Sequence, residues 1–313
     1  MSAAAPGAPL AHMEEDRRRT RRRRSIRLTL EGWAFVAPAT IVVLGLSIFP
    51  AIWSFFLSLQ RWDGFSTPEN IGIRNYTYAA TDPELQAAIA HTVIYTLLFV
   101  PASVLLGMLL AVALNRRIRF VGVYRTAIFV PFVASAAATG ILTTYLFSPQ
   151  FGLLNNILRR LGLPQQGWLE DPHQALVVIA VMSLWGSAAF TTVIFLAALQ
   201  DIPADLLEAA TLDGANRRQA FWHVTVPQLA PVTLFAAIWQ AIDALQLFDL
   251  VYTTTRGGPL DATETVVYYL WKQAFQNTAF GYGSAVAWCL FIVTMLITLG
   301  VVVVSRRMRI EAF

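Results

Sequence analysis

One short stretch combines residue types at fixed offsets in a way that suits mechanical rather than covalent chemistry. It reads Glu208-Ala209-Ala210-Thr211-Leu212-Asp213-Gly214-Ala215, continues through Phe221 and Val224, and closes at Pro227. A helix followed by a sharp bend can act as a rigid lever. Ala209 and Ala210 have small side chains, so such a lever can seat closely in a cleft. Gly214 allows a bend that a larger residue would strain. Glu208 offers a carboxylate that a partner's arginine can grip with two hydrogen bonds.

Covalent chemistry finds no comparable constellation. A phosphate-binding loop needs Gly-x-x-x-x-Gly-Lys-Ser/Thr. The only lysine is Lys272, and Trp271 precedes it. His91, His173 and His223 are scattered without metal-ligand spacing. Cys289 is the single cysteine, which excludes an intrachain disulfide. No catalytic residue, metal site or cofactor is therefore expected on this chain.

The elements that would position the lever follow from composition. Apolar residues make up 56% of the chain and charged residues 13%. A soluble domain usually carries about 25% charged residues, so lipid is the expected solvent. Six stretches are apolar for roughly the 20 residues that a helix needs to cross the hydrocarbon core. They are 33–59, 88–114, 121–147, 175–199, 229–251 and 284–304. Helical length rather than strict alternation argues against a barrel. The expected fold is all-α, with six transmembrane helices.

Charge sets the expected orientation. Arg17, Arg18, Arg19, Arg21, Arg22, Arg23, Arg24 and Arg27 crowd the N-terminus. Basic residues favour the cytoplasmic side, which places both termini inside. The same topology puts Arg116, Arg117, Arg119 and Arg125, then Arg217 and Arg218, then Arg306, Arg307 and Arg309 inside. Residues 1–28 read as a disordered Arg-rich cytoplasmic tail that anchors topology near anionic lipid, rather than as a nucleic-acid-binding segment. Residues 29–313 read as one membrane domain. No cleavable signal peptide is expected. Outside the membrane, Phe151 to Leu161 reads as a short interfacial helix.

The segment 201–228 is cytoplasmic in this topology and lies between spans four and five. Pro203 suits the first turn of a helix, and Asp201 is expected to cap it. Asp213-Gly214 should break that helix. A second helix is expected over Asn216 to Val224, with Pro227 ending it.

The Glu208–Pro227 string resembles the "EAA" coupling motif of binding-protein-dependent ABC importer permeases. Its glycine stands six residues after the glutamate and its proline nineteen after. Val224 and Val226 stand where the family usually has Ile and Leu. A second pattern narrows the resemblance. Phe248-Asp249-Leu250-Val251-Tyr252 leads to Thr255-Arg256-Gly257-Gly258-Pro259, then Thr263 and Thr265, then Gly281-Tyr282-Gly283. This looks like the carbohydrate-importer permeases of the type of the maltose transporter's larger membrane subunit, in a compact form without the large external insertion.

The resemblance implies a second permease subunit of similar fold, two ATPase subunits and an extracytoplasmic solute-binding protein. ATP and Mg would be bound by the ATPases, with no nucleic acid involved, in a bacterial cytoplasmic membrane crossed several times. It implies that Glu208, Ala209, Ala210, Asp213, Gly214, Ala215 and Pro227 couple the ATPase to the spans. The solute is expected to be a sugar or oligosaccharide. Glycerol 3-phosphate or a glycerophosphodiester is the alternative, and an ion-coupled secondary transporter is the rival class.

Polar groups inside spans are costly and so mark candidate pathway positions. Gln240, Asp243, Ala244 and Leu247 share one helical face. By alignment on Gly257-Gly258-Pro259, Gln240, Ala244 and Leu247 fall on the family's sugar-contacting face. In span four, Ser183, Trp185, Gly186, Ser187 and Phe190 fall near the family's sugar site. Trp185 and Phe190 would stack on a sugar ring, with Ser183 and Ser187 bonding its hydroxyls. Packing of small residues between helices is the competing reading of the serines. A pairing with a neighbouring helix or subunit is the competing reading of Asp243.

Overall fold

A computed structural model describes residues 31–116 and 119–307. The Arg-rich tail 1–28, Arg117 and Arg309 lie outside the described residues. The chain divides after Phe56 into two units. The first contributes most of helix α1, Glu31–Ser58, which carries a π-type turn at Leu44–Ile48. Large apolar side chains along α1, including Phe35, Leu46 and Phe49, are exposed, as suits a helix surrounded by lipid.

The second unit starts with a two-stranded antiparallel pair, β1 Gln60–Arg61 and β2 Glu69–Asn70. Helix α2 spans Arg74–Thr81. Asn75 donates its side-chain amide to the Ser58 and Gln60 carbonyls, at 2.8 and 3.0 Å. Helix α3, Pro83–Leu114, starts with proline at its first turn, and Asp82 caps it by accepting from the Glu84 amide at 3.1 Å. Helix α4 covers Val121–Val133 and α5 covers Ala136–Leu146. Helix α6 covers Leu153–Arg160, within the stretch where the sequence predicts a short interfacial helix. Helix α7 covers Ala175–Asp201.

The segment 201–228 forms α8, Ala204–Leu212, and α9, Arg217–Gln228. Helix α10, Ala230–Leu245, follows, then the short α11, Asp249–Thr253. Helix α12 covers Val266–Trp271 and continues into a π-type turn at Lys272–Gln276. Helix α13, Phe280–Arg307, closes the described chain.

Four helices are long and apolar enough to cross a membrane, and up to six spans result if each bent pair counts as one. The bent pairs differ from the continuous spans expected. The third apolar stretch breaks at Ala134, where the backbone turns extended. Ser135 then caps a new helix by accepting from the Ala138 amide, so α4 and α5 meet at 103°. The fifth stretch is joined to α9 across a 60° bend and ends as a helix at Leu245 rather than reaching Val251.

Two local expectations are corrected. Asp201 does not cap α8, because α7 continues through it; Pro203 holds the cap position in an extended conformation. Pro227 does not end the second helix, which runs one residue further to Gln228. A π-type turn at Phe221–Thr225 precedes it, with the Val226 amide bonding back to the Phe221 carbonyl. That wider register stands just ahead of a residue with no amide proton to donate.

Helices α3 and α7 pack closely. A Cβ placed on Gly107 of α3 would collide with Thr191 of α7, so glycine is needed at that crossing. Tyr95 and Phe99 of α3, Ile179 of α7 and Val251 of α11 are fully buried in one core cluster. A second cluster joins Leu85 and Ala88 to Tyr269, Tyr282 and Val286. A third gathers Ala111, Phe195, Leu229 and Ala236 toward the α9–α10 bend.

Candidate functional site

The Glu208–Pro227 segment is held by its own hydrogen bonds. At the end of α8 the Ala215 amide donates to the Ala210 carbonyl at 2.9 Å, and the Gly214 amide to the Thr211 carbonyl at 3.1 Å. This pair of bonds is a Schellman closure, which needs a left-handed residue between them. Gly214 takes that role with φ at +85°. The motif's glycine is thus explained by backbone geometry. Ala210 and Ala215 are its two ends.

The chain then restarts at once. The Asn216 side chain accepts from the Arg218 and Gln219 amides, both at 3.0 Å, and the Gln219 side chain accepts from the Asn216 amide at 2.9 Å. This reciprocal box fixes α9 directly after the bend. The side chains of Glu208, Ala209, Asp213, Gly214 and Pro227 are exposed, and Ala210 and Ala215 are half-buried. Leu206, Leu207 and Trp222 are exposed on the same segment, and Leu212 is 89% exposed. A self-capped, bent helix pair therefore presents exposed apolar side chains and an exposed carboxylate.

The candidate pathway residues of α7 and α10 largely meet around one open cavity of about 450 Å³. Ser183, Gly186, Ser187 and Phe190 line it from α7. Gln240, Asp243 and Leu247 line it from α10 and the residues just after. Trp185 and Ala244 do not line it. Trp185 is partly exposed elsewhere on α7, and Ala244 is fully buried in the core cluster with Tyr95 and Ile179.

Several lining groups were not expected from sequence. Tyr95 reaches the cavity from α3, and Phe132 from α4. Trp239 packs against Phe190 with ring centroids 5.1 Å apart. Phe248 and Asp249 enter because the chain turns after Leu245 and begins α11. A continuous span would have carried Asp249 away from Asp243. The only prior signal was the run of polar positions Gln246 and Asp249 late in an apolar stretch.

Gln240 is occupied internally. Its side-chain amide donates to the Ser103 hydroxyl on α3, and Ser103 lies 3.4 Å from the Ser187 hydroxyl of α7. These three residues tie α3, α7 and α10 together below the cavity. The Ser183 hydroxyl oxygen is buried beside Tyr95 and meets no hydrogen-bonding geometry with any of the described residues. Asp243 and Asp249 are exposed to the cavity, and neither has an ion pair among the described residues.

The Thr255–Thr265 motif is a hydrogen-bonded loop beside this cavity. The Thr255 and Thr263 hydroxyls are 2.7 Å apart, and Thr263 donates to the Gly258 carbonyl at 2.8 Å. Thr265 donates to the Leu247 carbonyl at 2.7 Å, which pins the cavity's edge. Glu264, 3% exposed, pairs with Lys272 at 3.1 Å. Burial holds the Glu264 carboxyl above its usual range despite the lysine. Across the same region Tyr269 and Tyr282 both donate to one oxygen of buried Asp82. Burial pushes the Asp82 carboxyl up, but these hydroxyls and the α3 amides outweigh it and hold it below its usual value. Among the described residues, no group of three or more His, Cys, Asp or Glu could hold a metal ion.

Comparison with known proteins places this architecture. Residues 88–310 match the model of the binding-protein-dependent transport system inner membrane component. The chain is 33% identical over 268 residues to the sn-glycerol-3-phosphate transport system permease protein of Agrobacterium fabrum, covering 85% of this chain and 91% of that one. It is 34% identical over 275 residues to the lactose transport system permease protein of Rhizobium radiobacter, covering 86% and 92%. A crystal structure of a bacterial alginate ABC transporter with an alginate pentasaccharide-bound periplasmic protein contains a chain of the same fold. That chain aligns at a TM-score of 0.82 and 20% identity, covering 91% of this chain and 97% of that one.

Proposed function

We propose a function on one premise: the chain belongs to the family of binding-protein-dependent transport system inner membrane components and is a multi-pass membrane protein. It serves as a permease subunit of an ATP-driven importer, with a second permease completing the translocation path. Six spans run with both termini inside: α4 and α5 together make one crossing, and α10, entered from the cytoplasmic α9, makes another. An extracytoplasmic binding protein delivers the solute. Two ATPase subunits, carrying ATP and Mg, dock on the α8–α9 segment. Glu208, Ala209 and Ala210 face the ATPase, Asp213, Gly214 and Ala215 hold the bend, and Pro227 marks the return to the membrane.

The observation that carries this reading is the lever itself: a bend closed by its own caps, on which Leu206, Leu207, Leu212 and Glu208 stand exposed. Closure of the ATPases moves the lever and switches the cavity between its two openings; no covalent chemistry occurs on this chain. The solute is a sugar or oligosaccharide, supported by the lactose relative and by an aromatic, hydroxyl-lined cavity. Glycerol 3-phosphate is the second reading, favoured by the Agrobacterium fabrum relative.

The test is Glu208→Ala in the complete complex. ATPase subunits should co-purify less well, or hydrolysis should persist while uptake of labelled lactose falls. Normal docking with normal uptake would refute the assignment.

A further inference from the structure

The two relatives are named for solutes of different charge. One is named for a phosphate ester and the other for a neutral disaccharide. The cavity between α7 and α10 holds a feature that separates them. Two carboxylates, Asp243 and Asp249, face it from consecutive helices, and no Arg or Lys lines it. Gln240 supplies no charge, and one of its two amide N–H groups is already engaged with Ser103. The sole lysine, Lys272, is bound to Glu264 and Asp261, at 3.1 and 3.8 Å.

An aqueous cleft with walls of one sign concentrates counter-ions and repels co-ions, more strongly where the walls are apolar and focus the field. Tyr95, Phe190, Trp239 and Phe248 supply such walls. A carboxylate within a membrane-embedded cavity also needs water, a hydrogen-bond donor or a cation to remain favourable. Sugar hydroxyls and ammonium groups provide those donors. Phosphate, sulfonate and uronate groups add acceptors and like charge.

We propose that Asp243 and Asp249 make this cavity an electrostatic filter, which admits neutral or amine-bearing glycosides and turns away phosphorylated or acidic ones. This rests on the cavity being the solute path.

The test reads the potential directly and needs no identified solute. Gln246, exposed on the cavity wall between the two aspartates, is replaced as Gln246→Cys in a Cys289→Ser background, within a complete complex otherwise free of reactive thiols. Leu247→Cys serves as a second reporter at the same wall. Reaction rates with a cationic and an anionic methanethiosulfonate are compared with those of a free thiol in solution. The cation should be favoured about tenfold or more over the free-thiol ratio, and Asp243→Asn with Asp249→Asn should return the ratio to the free-thiol value.

A parent ratio equal to that of the free thiol, or one unmoved by neutralising both aspartates, overturns the filter while leaving the path intact. Reaction with neither reagent at either reporter would remove the cavity from the solute path, and the filter with it. Import of glycerol 3-phosphate by the unaltered complex would equally overturn the proposal.

Discussion

Gly214 offers a sharp test of how the lever is built. A Cβ added there meets nothing within 4 Å, so steric crowding plays no part. The cost of Gly214→Ala is therefore the backbone's alone. Its φ of +85° lies in the left-handed region, which costs an L-residue with a side chain about 1–2 kcal/mol. That energy shifts the closed bend by roughly five- to thirtyfold toward an open one. The two closing bonds, Ala215 to Ala210 and Gly214 to Thr211, should report the opening first.

Hydrogen exchange on the assembled complex is the direct assay. The Ala215 amide should exchange faster by roughly that five- to thirtyfold factor, while amides within α7 stay unchanged. Asn tolerates the left-handed region better than other non-glycine residues, so Gly214→Asn should lie between parent and Ala. Gly214→Val, with a branched Cβ, should be worst. Uptake per ATP hydrolysed should fall in the same order. An unchanged Ala215 exchange rate in Gly214→Ala, or an Asn variant no better than Val, would refute the backbone argument.

Two further predictions concern the buried carboxylates Glu264 and Asp82. Lys272→Met strands the buried Glu264 carboxylate, and removing one partner of a buried pair costs about 3–5 kcal/mol; because Lys272 is partly exposed, the low end is expected. The Glu264 pKa is already raised, so its proton is held more tightly in the folded state. The variant's thermal stability should recover as pH falls toward the ordinary Glu range and decline as pH rises through the raised value. Adding Glu264→Gln should restore most of the loss at neutral pH, and a flat pH profile would contradict the assignment. Tyr269→Phe and Tyr282→Phe each remove a hydrogen bond to the Asp82 carboxylate, worth about 1.5–3 kcal/mol. Because both donate to the same Asp82 oxygen, the double variant's melting temperature should fall by an amount different from the sum of the single losses.

How much of this was readable in advance follows the kind of signal each feature leaves. The apolar stretches announced their helices because lipid demands long uninterrupted runs. The motif announced Gly214 because a left-handed cap accepts few residues. The break at Ala134 left almost no trace. Its flanks are as apolar as any span, and only Pro131 and Ser135 hinted at it. Helical periodicity put Gln240, Asp243, Ala244 and Leu247 on one face, and three of the four line the cavity. Ala244 does not, because helix α10 ends at Leu245 and the core behind it closes over that methyl. Asp249 was invisible as a neighbour of Asp243, since their approach depends on the turn at Gln246–Phe248. Ser103, the anchor of Gln240, is a small residue in an apolar run and carries no periodic signature.

The bend at Leu229 joins these parts into one device. Helix α9 rises directly from the Asn216 cap beside the lever, and α10 continues from it to the cavity. Between them stands Leu229, fully buried, with its amide bonded to the Thr225 and Val226 carbonyls and its carbonyl bonded to the Thr233 amide. The hydrogen-bond ladder therefore runs through the bend instead of stopping at it. At a rise of about 1.5 Å per residue, α10 spans about 24 Å, from this buried corner to the turn that sets Asp243 opposite Asp249. The Ser103–Gln240–Ser187 tie fixes the same helix to α3 and α7 partway along. A force on the exposed leucines of α8 thus has two outlets in the proposed mechanism. It can rotate α10 about the Ser103 tie, or it can carry α3 and α7 along with it. The first would change the cavity alone and the second would move the core as a body. The tight Gly107–Thr191 crossing makes α3 and α7 move as one in the second case.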